Sequence, residues 1–393
     1  MANYFEFFCP VKTVAGQKAL EHIPFELSTL GASRPLIITD KGVRGAGLLS
    51  HIEGVFAEAN IQAVDVYDNV PPDSSTKIVS EIADLYRTKG ADSIIAIGGG
   101  SVIDTSKGVN ILVSEGGNDL HVYSGVGIIK KALRPLFVVP TTAGTGSEVT
   151  MVAVISDSES GAKLPFTSYF LLPNAAILDP RMTLTLPPSI TAATAMDAMT
   201  HAVEAYTCLA KNPLSDAYAF QAIRKISDNL LPVMDNPSDA NGRLELALAA
   251  TMAGIAFSNS MVGLVHALGH SLGALCHIPH GVCMNIFLPY VLEYNQEVNG
   301  DVVAELLLPL AGPEVYAATP KPLRADRAIQ RIRALRDELF ARTKLPRRLS
   351  ETGKVTQEQL ARLAEMAIDE GPLMFNPKEM DYDDALALLK RAW

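Results

Sequence analysis

The sequence predicts an α/β domain with a parallel sheet, followed by an all-helical domain. Up to about residue 185, short β-rich runs alternate with helical stretches, a pattern typical of a parallel sheet with right-handed crossovers. From Thr191 to Trp393 the helical periods are long and β-rich runs are almost absent. A chain of 393 residues is expected to form two domains, since one core seldom exceeds ~250–300 residues. The Pro-rich stretch LPPS at 186–189 places the boundary between domains 1–187 and 188–393.

Apolar runs and their spacing predict the individual elements. Strands buried on both faces are predicted for PLIITD (35–40), AVDVYDNV (63–70), SIIAIGG (93–99) and PLFVVPT (135–141). Helical spacing is found in GLLSHIEGVFAEAN, SSTKIVSEIADLYRTKG, AATAMDAMTHAVEAY, SDAYAFQAIRKISDNLLPVM and GRLELALAATMAGIAF. The basic run PKPLRADRAIQRIRALRDELFARTK is expected to be a solvated helix face.

Composition favours a metabolic enzyme of the cytoplasm. A net charge of -10 argues against nucleic-acid and anionic-membrane partners. The apolar segment LALAATMAGIAF falls well short of the ~20 residues that span a bilayer. The N-terminus MANYFEFFCPVK lacks the basic and apolar regions of a signal peptide. The cysteines, which form no CxxC pair, are expected to be reduced and mostly buried: Cys9, Cys208, Cys276 and Cys283.

A glycine-rich stretch, IIAIGGGSVIDTSKG, follows a predicted buried strand and begins a predicted helix. Its residues Gly98, Gly99, Gly100 and Ser101 would let the backbone approach a pyrophosphate, which the helix N-terminus attracts. The stretch is neither GxGxxG nor a Walker loop. The alternative, a tight turn in which Ser101 and Asp104 form a capping box, is equally open from this motif alone.

A second loop favours the dinucleotide interpretation. VVPTTAGTGSEVT offers the hydroxyls of Thr141, Thr142, Thr145 and Ser147 after another strand, where a dinucleotide would lie. The alternative is a loop that satisfies its own backbone, but two such loops in one sheet are less easily explained that way.

The aspartate that ends PLIITD bears on the choice of cofactor. Asp40 could accept both hydroxyls of an adenosine ribose and would repel a 2′-phosphate, which favours NAD over NADP. An Asx turn before Gly42 is the alternative.

Histidines and one aspartate indicate a metal site in the helical half. In MDAMTHAVEAY, Asp197 and His201 are four apart on one helix face. In HALGHSLGALCHIPH, His266 and His270 repeat that spacing, and His280 follows a proline expected to end the first helix. One carboxylate with imidazoles suits Fe²⁺ or Zn²⁺. Spacing alone nominates His266 and His270 as a ligand pair. Glu204, one turn after His201, could be a hydrogen-bond partner of a metal ligand or an exposed helix residue, and the second interpretation is favoured.

Four motifs together resemble one known family. GGGSVIDTSK, PTTAGTGSEVT, MDAMTHAVEAY and GLVHALGHSLGALCHIPHGVCMN occur in the order found in the iron-containing (group III) alcohol dehydrogenases. The resemblance runs from Phe7 to the C-terminal FNPKEMDYDDALALLKRAW. It implies an N-terminal NAD-binding domain and a C-terminal metal-binding catalytic domain.

The resemblance also implies roles for individual residues. The metal ligands would be Asp197, His201, His266 and His280. His270 would lie near substrate and nicotinamide without being a ligand and could relay a proton, whereas His277 matches no fixed position. The candidate cofactor-binding residues are Asp40, Gly98, Gly99, Gly100, Ser101, Asp104, Thr141, Thr142, Thr145, Ser147 and Lys163.

The implied reaction is reversible, NAD-linked oxidation of a small primary alcohol to its aldehyde. This chain departs from its relatives at three places: Pro72 stands where asparagine is usual, Val152 where lactaldehyde reductases carry a polar amide, and EGPLMFNP where a smaller, glycine-rich segment is found. All three departures make the pocket less polar, which favours a simple primary alcohol over a vicinal diol or hydroxyaldehyde.

The motifs leave two alternative functions to compare with this one, and an oligomer is expected. A metal- and NAD-dependent lyase of the dehydroquinate synthase type would use Glu/His/His ligands and several basic residues, which Asp197 and the scarcity of Lys and Arg near the ligands argue against. A non-catalytic binding module leaves the coincidence of two sites unexplained. The resemblance and the apolar run YFEFF (4–8), predicted as an edge strand, indicate a homodimer or a higher homo-oligomer.

Overall fold

A computed structural model describes residues 4–393; residues 1–3, the start of the segment MANYFEFFCPVK, lie outside the described residues. The described residues group into an α/β unit, formed by 8–186 and 238–251, and a helical unit, formed by 4–7, 187–237 and 252–393. The predicted boundary falls where the first long segment of the α/β unit ends. The segment 238–251, which the sequence assigned to the helical half, belongs to the α/β unit.

Within the described residues, the strands of the α/β unit form two sheets. In chain order they are β1 (Lys12–Ala15), β2 (Pro35–Ile38), β3 (Asp65–Tyr67), β4 (Ser93–Gly98), β5 (Gly125–Val126), β6 (Leu136–Pro140), β7 (Val152–Ser156), β8 (Lys163–Thr167) and β9 (Ala175–Leu178). The larger sheet is parallel throughout, in the order β1-β9-β6-β4-β2-β3. The smaller sheet has the order β5-β8-β7, with β7 antiparallel to β8.

The four inner strands of the parallel sheet, β2, β4, β6 and β9, are buried along their whole length, whereas the edge strands β1 and β3 are partly exposed. Alternate residues of β4 contribute to different core clusters: Ile94 and Ala96 to one, Ile95 and Ile97 to the other. This alternation follows from the two-residue period of a strand. The helices that begin within the first 186 residues are α1 (Ile23–Thr29), α2 (Lys41–Gly45), α3 (Leu49–Glu58), α4 (Thr76–Lys89) and α5 (Gly100–Glu115).

The remaining helices confirm the predicted change of pattern. They are α6 (Pro188–Thr207), α7 (Pro213–Asp235), α8 (Ala240–Ser258), α9 (Leu264–Cys276), α10 (His280–Glu305), α11 (Leu307–Ala311), α12 (Pro313–Ala318), α13 (Arg324–Thr343), α14 (Gln359–Ile368) and α15 (Tyr382–Arg391). The break predicted at Pro279 is present, since α9 ends at Cys276 and Pro279 caps α10 in an extended conformation. No helix among residues 4–393 combines the length and apolarity that a membrane crossing requires.

Within the single chain YFEFF forms no strand, and its pairing with another subunit stays a prediction. Residues 4–8 form no strand, and β1 begins only at Lys12. All four residues of β9 already pair with β1, so the preceding aromatic residues have no strand of this sheet beside them. Phe8 instead packs edge-on against the ring of Tyr169, with 4.9 Å between ring centroids.

Candidate metal and nucleotide sites

Helix α6 carries two of the predicted metal ligands on a buried face. Asp197 and His201 lie four residues apart, and both side chains are almost entirely buried. Side chains at this spacing project from the same helix face. The His201 ring stacks on Phe257 with 4.3 Å between centroids, which fixes its plane.

The starts of α9 and α10 supply two further imidazoles. His266 lies in the first turn of α9, and His280 is the first residue of α10. A Cβ added at Gly281 would lie 2.3 Å from the backbone oxygen of Ala193 in α6. Because glycine has no Cβ, α10 can begin in close contact with α6, and His280 Nε2 comes within 3.4 Å of Asp197 Oδ1.

The structure therefore brings together four residues from three helices. Asp197, His201, His266 and His280 each offer a ligand atom, and these atoms all lie within 4.8 Å of one another. Among the described residues, three buried side-chain atoms of this group have no hydrogen-bond partner: Asp197 Oδ1, His201 Nδ1 and His266 Nε2. Buried polar atoms are rarely left unsatisfied, and one divalent cation would satisfy all three. A carboxylate with three imidazoles fits Fe²⁺ or Zn²⁺.

Burial favours the neutral form, which a cation requires, for two of the imidazoles, His201 and His266. It lowers the pKa of His201 to about 3, although Asp197 acts in the opposite direction. Burial and the nearby imidazoles of His280 and His270 hold the pKa of His266 well below 6.5. Burial raises the pKa of Asp197, and a bound cation would offset the cost of ionising that carboxyl group in an apolar environment.

The prediction that Glu204 is an exposed helix residue is wrong. Its side chain is 5% exposed, and Oε2 lies 2.5 Å from His266 Nδ1. Burial raises the pKa of Glu204 to about 7, against the lowering effect of backbone N–H groups at the start of α9. A signal was available, since Glu204 lies three residues after His201 and seven after Asp197, on the same helix face.

His270 lies beside this group without belonging to it. Its side chain is 41% exposed, and Nδ1 lies 3.3 Å from Glu370 Oε2. Its ring centroid is 5.6 Å from that of His280. The i,i+4 spacing thus places the rings of His266 and His270 next to each other. The group of convergent ligand atoms, however, contains His280 and not His270.

The residues predicted to bind a dinucleotide lie at one edge of the parallel sheet. Ile38 of β2 pairs with Ala96 of β4, and Gly98 at the end of β4 pairs with Pro140 at the end of β6. Because the strands are parallel, the segments that follow them meet at the same edge. These segments contain Asp40, Gly98, Gly99, Gly100, Ser101, Thr141, Thr142 and Thr145.

The glycines allow two of these segments to touch. A Cβ at Gly99 would lie 3.3 Å from Thr142 Oγ1, and one at Gly100 would lie 2.9 Å from Thr145 Cγ2. Helix α5 begins at Gly100, and its N-cap, Gly99, provides no side-chain hydrogen bond. The capping-box alternative is therefore wrong, since Gly99 rather than Ser101 is the N-cap of α5 in the described structure and it provides no side-chain cap.

Asp104 and Ser147 hold the second loop in place. Asp104 Oδ1 accepts a hydrogen bond from Ser147 Oγ at 2.8 Å, and Asp104 Oδ2 accepts one from Val154 N at 2.9 Å. The side chains of Asp104 and Ser147 thus bind each other, and both residues have a structural role in fixing the loop.

Lys107, which no motif predicted as a site residue, also holds this loop in place. We call the contacts of Asp104 and Lys107 with Ser147 the brace. The fully buried ammonium group of Lys107 donates to Ser147 Oγ at 3.1 Å and to the backbone oxygens of Thr150 and Val152 at 2.8 Å each. Burial lowers the pKa of Lys107 to about 8, and the charges of Asp104 and Glu148 oppose that shift. Its position in α5, three residues after Asp104, was the available signal.

The two remaining candidates, Asp40 and Lys163, already have partners. Asp40 Oδ1 accepts a hydrogen bond from Val43 N at 2.9 Å and caps α2; the side chain thus has a local structural role, through a helix cap three residues on rather than an Asx turn. A carboxylate has a second oxygen with which it could contact a ribose. Lys163 Nζ lies 2.8 Å from Asp73 Oδ1, and the backbone N–H of Asp73 donates to Ser101 Oγ at 3.3 Å.

Comparison with known proteins gives matches over almost the whole chain. Residues 10–180 match the family described as "Iron-containing alcohol dehydrogenase" and residues 191–393 the "Fe-containing alcohol dehydrogenase family, C-terminal". The NAD-dependent methanol dehydrogenase of Bacillus methanolicus is 32% identical over 98% of this chain and 99% of its own. The 1,3-propanediol dehydrogenase of Klebsiella pneumoniae is 34% identical over 99% of each chain.

A solved structure agrees with these matches. The crystal structure of a 1,3-propanediol oxidoreductase superposes with a TM-score of 0.94, at 33% identity and over 100% of both chains. With its parallel-sheet unit, its helical unit and a buried Asp/His group, the chain belongs to the iron-containing alcohol dehydrogenase family and is an oxidoreductase that interconverts alcohols and aldehydes.

Proposed function

We propose that this enzyme interconverts a small primary alcohol and its aldehyde, with NAD(H) as the redox partner and a divalent metal at the Asp197, His201, His266 and His280 group. The convergence of three buried, unpartnered ligand atoms on one point carries the proposal. When bound, Fe²⁺ or Zn²⁺ supplies Lewis-acid polarisation of the substrate oxygen, and NAD⁺ supplies the acceptor for the hydride.

The chain's own residues would bind the cofactor, keep the adjoining loop in position and exchange a proton with the substrate. His270 is exposed beside the ligand group, where its imidazole can exchange a proton with substrate or water. The uncapped start of α5 suits a pyrophosphate. The brace formed by Asp104, Lys107 and Ser147 keeps the adjoining loop in position. A fixed loop would keep the bound cofactor oriented toward the substrate, and the rate of hydride transfer depends strongly on that orientation.

Anaerobic purification followed by elemental analysis and an alcohol panel with NAD⁺ tests this proposal. We expect about one iron or zinc per chain and NADH formation with short primary alcohols. A lyase would give no net NADH. Protein that carries metal and binds NADH, yet oxidises no alcohol and reduces no aldehyde, would contradict the proposal and favour a binding module.

We also propose that the substrate carries no second hydroxyl next to the reacting carbon. Pro72 stands where asparagine is usual in the family, and Val152 stands where lactaldehyde reductases carry a polar amide. A less polar pocket leaves a second hydroxyl unpaired. The named relatives include both a methanol dehydrogenase and a 1,3-propanediol dehydrogenase. We expect a higher kcat/KM for 1-propanol than for 1,2-propanediol. The reverse order would contradict this assignment.

Asp40 is predicted to select NAD over NADP. Its charge would lie beside a 2′-phosphate, so Asp40→Gly should raise kcat/KM with NADP(H) far more than with NAD(H). Asp40→Ser is the matched variant, since serine retains the helix cap that Asp40 provides but not the charge. Both variants should shift in the same direction. Equal use of the two cofactors by the wild type would show that Asp40 has no such role.

We propose that the enzyme is cytoplasmic and at least a dimer. The cysteines are unpaired thiols in the described structure, as expected in a reducing compartment. The short edge strand β1 and the exposed aromatic side chains of Tyr4, Phe5 and Phe8 support self-association. Sedimentation should therefore give a mass of at least twice 42.1 kDa at micromolar concentration. A monomer under those conditions would contradict the proposal.

A further inference from the structure

The carboxylate of Glu204 joins α6 to the start of α9 through two separate contacts. Oε1 accepts a hydrogen bond from the backbone N–H of Val265 at 2.6 Å, and Oε2 lies 2.5 Å from His266 Nδ1. The Glu204 and His266 side chains are 5% and 3% exposed. The Val265 N–H belongs to the first turn of α9, where backbone donors have no partner within the helix.

This contact decides which nitrogen of His266 carries the proton. A neutral imidazole has one N–H, and an ionised carboxylate can only accept a hydrogen bond. In its ionised form, which a cation bound to His266 would favour, Glu204 therefore holds the proton on Nδ1 of His266. The lone pair is then on Nε2, the buried atom that has no hydrogen-bond partner among the described residues and belongs to the convergent group.

We propose that Glu204 is a positioning residue for the metal: it fixes His266 in the Nδ1–H tautomer and directs Nε2 toward the cation. A partner of this kind sets the ring orientation of a metal-binding histidine and raises its basicity. The inference rests on the metal site of the proposed function and adds a residue outside the four ligands.

A purely structural role can be distinguished because α9 has a second acceptor at its start. Asn376 Oδ1 accepts a hydrogen bond from Leu264 N at 3.4 Å. Asn376 also exchanges hydrogen bonds of 2.9 and 2.8 Å with the side chain of Asn295. This contact supports the helix start without touching His266, so the two functions can be separated by mutation.

Glu204→Gln is the informative substitution. The amide has one acceptor oxygen, which the Val265 N–H would engage, so the amide NH₂ would face His266 Nδ1. That nitrogen must then accept, which moves the ring proton to Nε2, the atom intended for the metal. We expect the affinity for Zn²⁺ or Co²⁺, measured by chelator competition without alcohol or NAD⁺, to fall about 10–100-fold. The thermal unfolding of the metal-free protein should change little.

Asn376→Ala is the matched control. It removes the other acceptor at the start of α9, so we expect a less stable protein with unchanged metal affinity. Nitrogen-15 spectra of the metal-free wild type, recorded on the alkaline side of the raised Glu204 pKa and with His266 assigned by its alanine variant, should show the proton on Nδ1. This measurement decides the question even if Glu204→Gln does not fold.

Three results would overturn the inference: wild-type metal affinity in Glu204→Gln, equal losses of affinity in Glu204→Gln and Asn376→Ala, or a wild-type His266 protonated on Nε2. A wild type that binds neither Zn²⁺ nor Co²⁺ would instead remove the metal site on which the proposed function depends.

Discussion

Replacing His280 or His266 by alanine is expected to abolish metal binding and activity together. Each substitution removes one of four convergent ligand atoms and leaves a buried site with an incomplete set of ligands. His270→Ala should instead keep close to one metal per chain, because His270 lies outside the convergent group. Its turnover should fall about 10²–10⁴-fold if its ring exchanges the proton. Metal content and rate, measured on the same samples, separate these outcomes.

His277 provides the control within the same stretch of sequence. It caps α9 in the left-handed conformation with φ 52, which asparagine tolerates well. His277→Asn should therefore retain both metal and activity. If His270→Ala came out free of metal while His280→Ala stayed loaded, the ligand assignment would be reversed and the i,i+4 spacing of His266 and His270 would have been the correct guide.

Gly281→Ala is expected to disrupt the metal site without removing any ligand. The new Cβ would lie 2.3 Å from the oxygen and 2.8 Å from the carbon of the Ala193 backbone, and backbone atoms cannot move aside as a side-chain end can. The start of α10 would have to shift away from α6, taking His280 from Asp197. A shift of about 1 Å can reduce a rate about 10²-fold, and overpacking costs about 1–3 kcal/mol of stability.

Gly273→Ala is the corresponding control in α9. A Cβ there would have its nearest neighbour at 3.4 Å, the backbone oxygen of Ile278, which is an ordinary contact distance. Metal affinity and turnover should therefore be close to wild type. If Gly281→Ala also bound metal and turned over like the wild type, close packing of α10 on α6 would not be what places His280.

The sequence predicted the elements that are long or wholly apolar. Three of the four apolar runs became strands whose residues are all buried, β2, β4 and β6, because strands buried on both faces require such runs; the fourth became β3, which is three residues long and partly exposed. Among the strands that were not predicted, β1, β7 and β8 are partly exposed, whereas β9 is fully buried but only four residues long.

Within the site, the spacing of residues along one helix predicted which side chains share a face. It could not predict contacts between segments that lie far apart in the sequence. Asp197 and His201 were identified from their shared helix face. The role of Glu204 depends on α9, sixty residues away, so periodicity could place its side chain on the buried face but not name its partner. Likewise, the burial of Lys107 depends on the backbone of Thr150 and Val152, which lies far along the chain.

The most direct test of the metal assignment is an anomalous difference map from crystals of the metal-loaded enzyme, recorded at the absorption edge of the metal found by elemental analysis. The account predicts one peak per chain, about 2.0–2.2 Å from an oxygen of Asp197 and from one ring nitrogen each of His201, His266 and His280. A peak bonded to His270 in place of His280, or no peak in crystals of active protein, would contradict it.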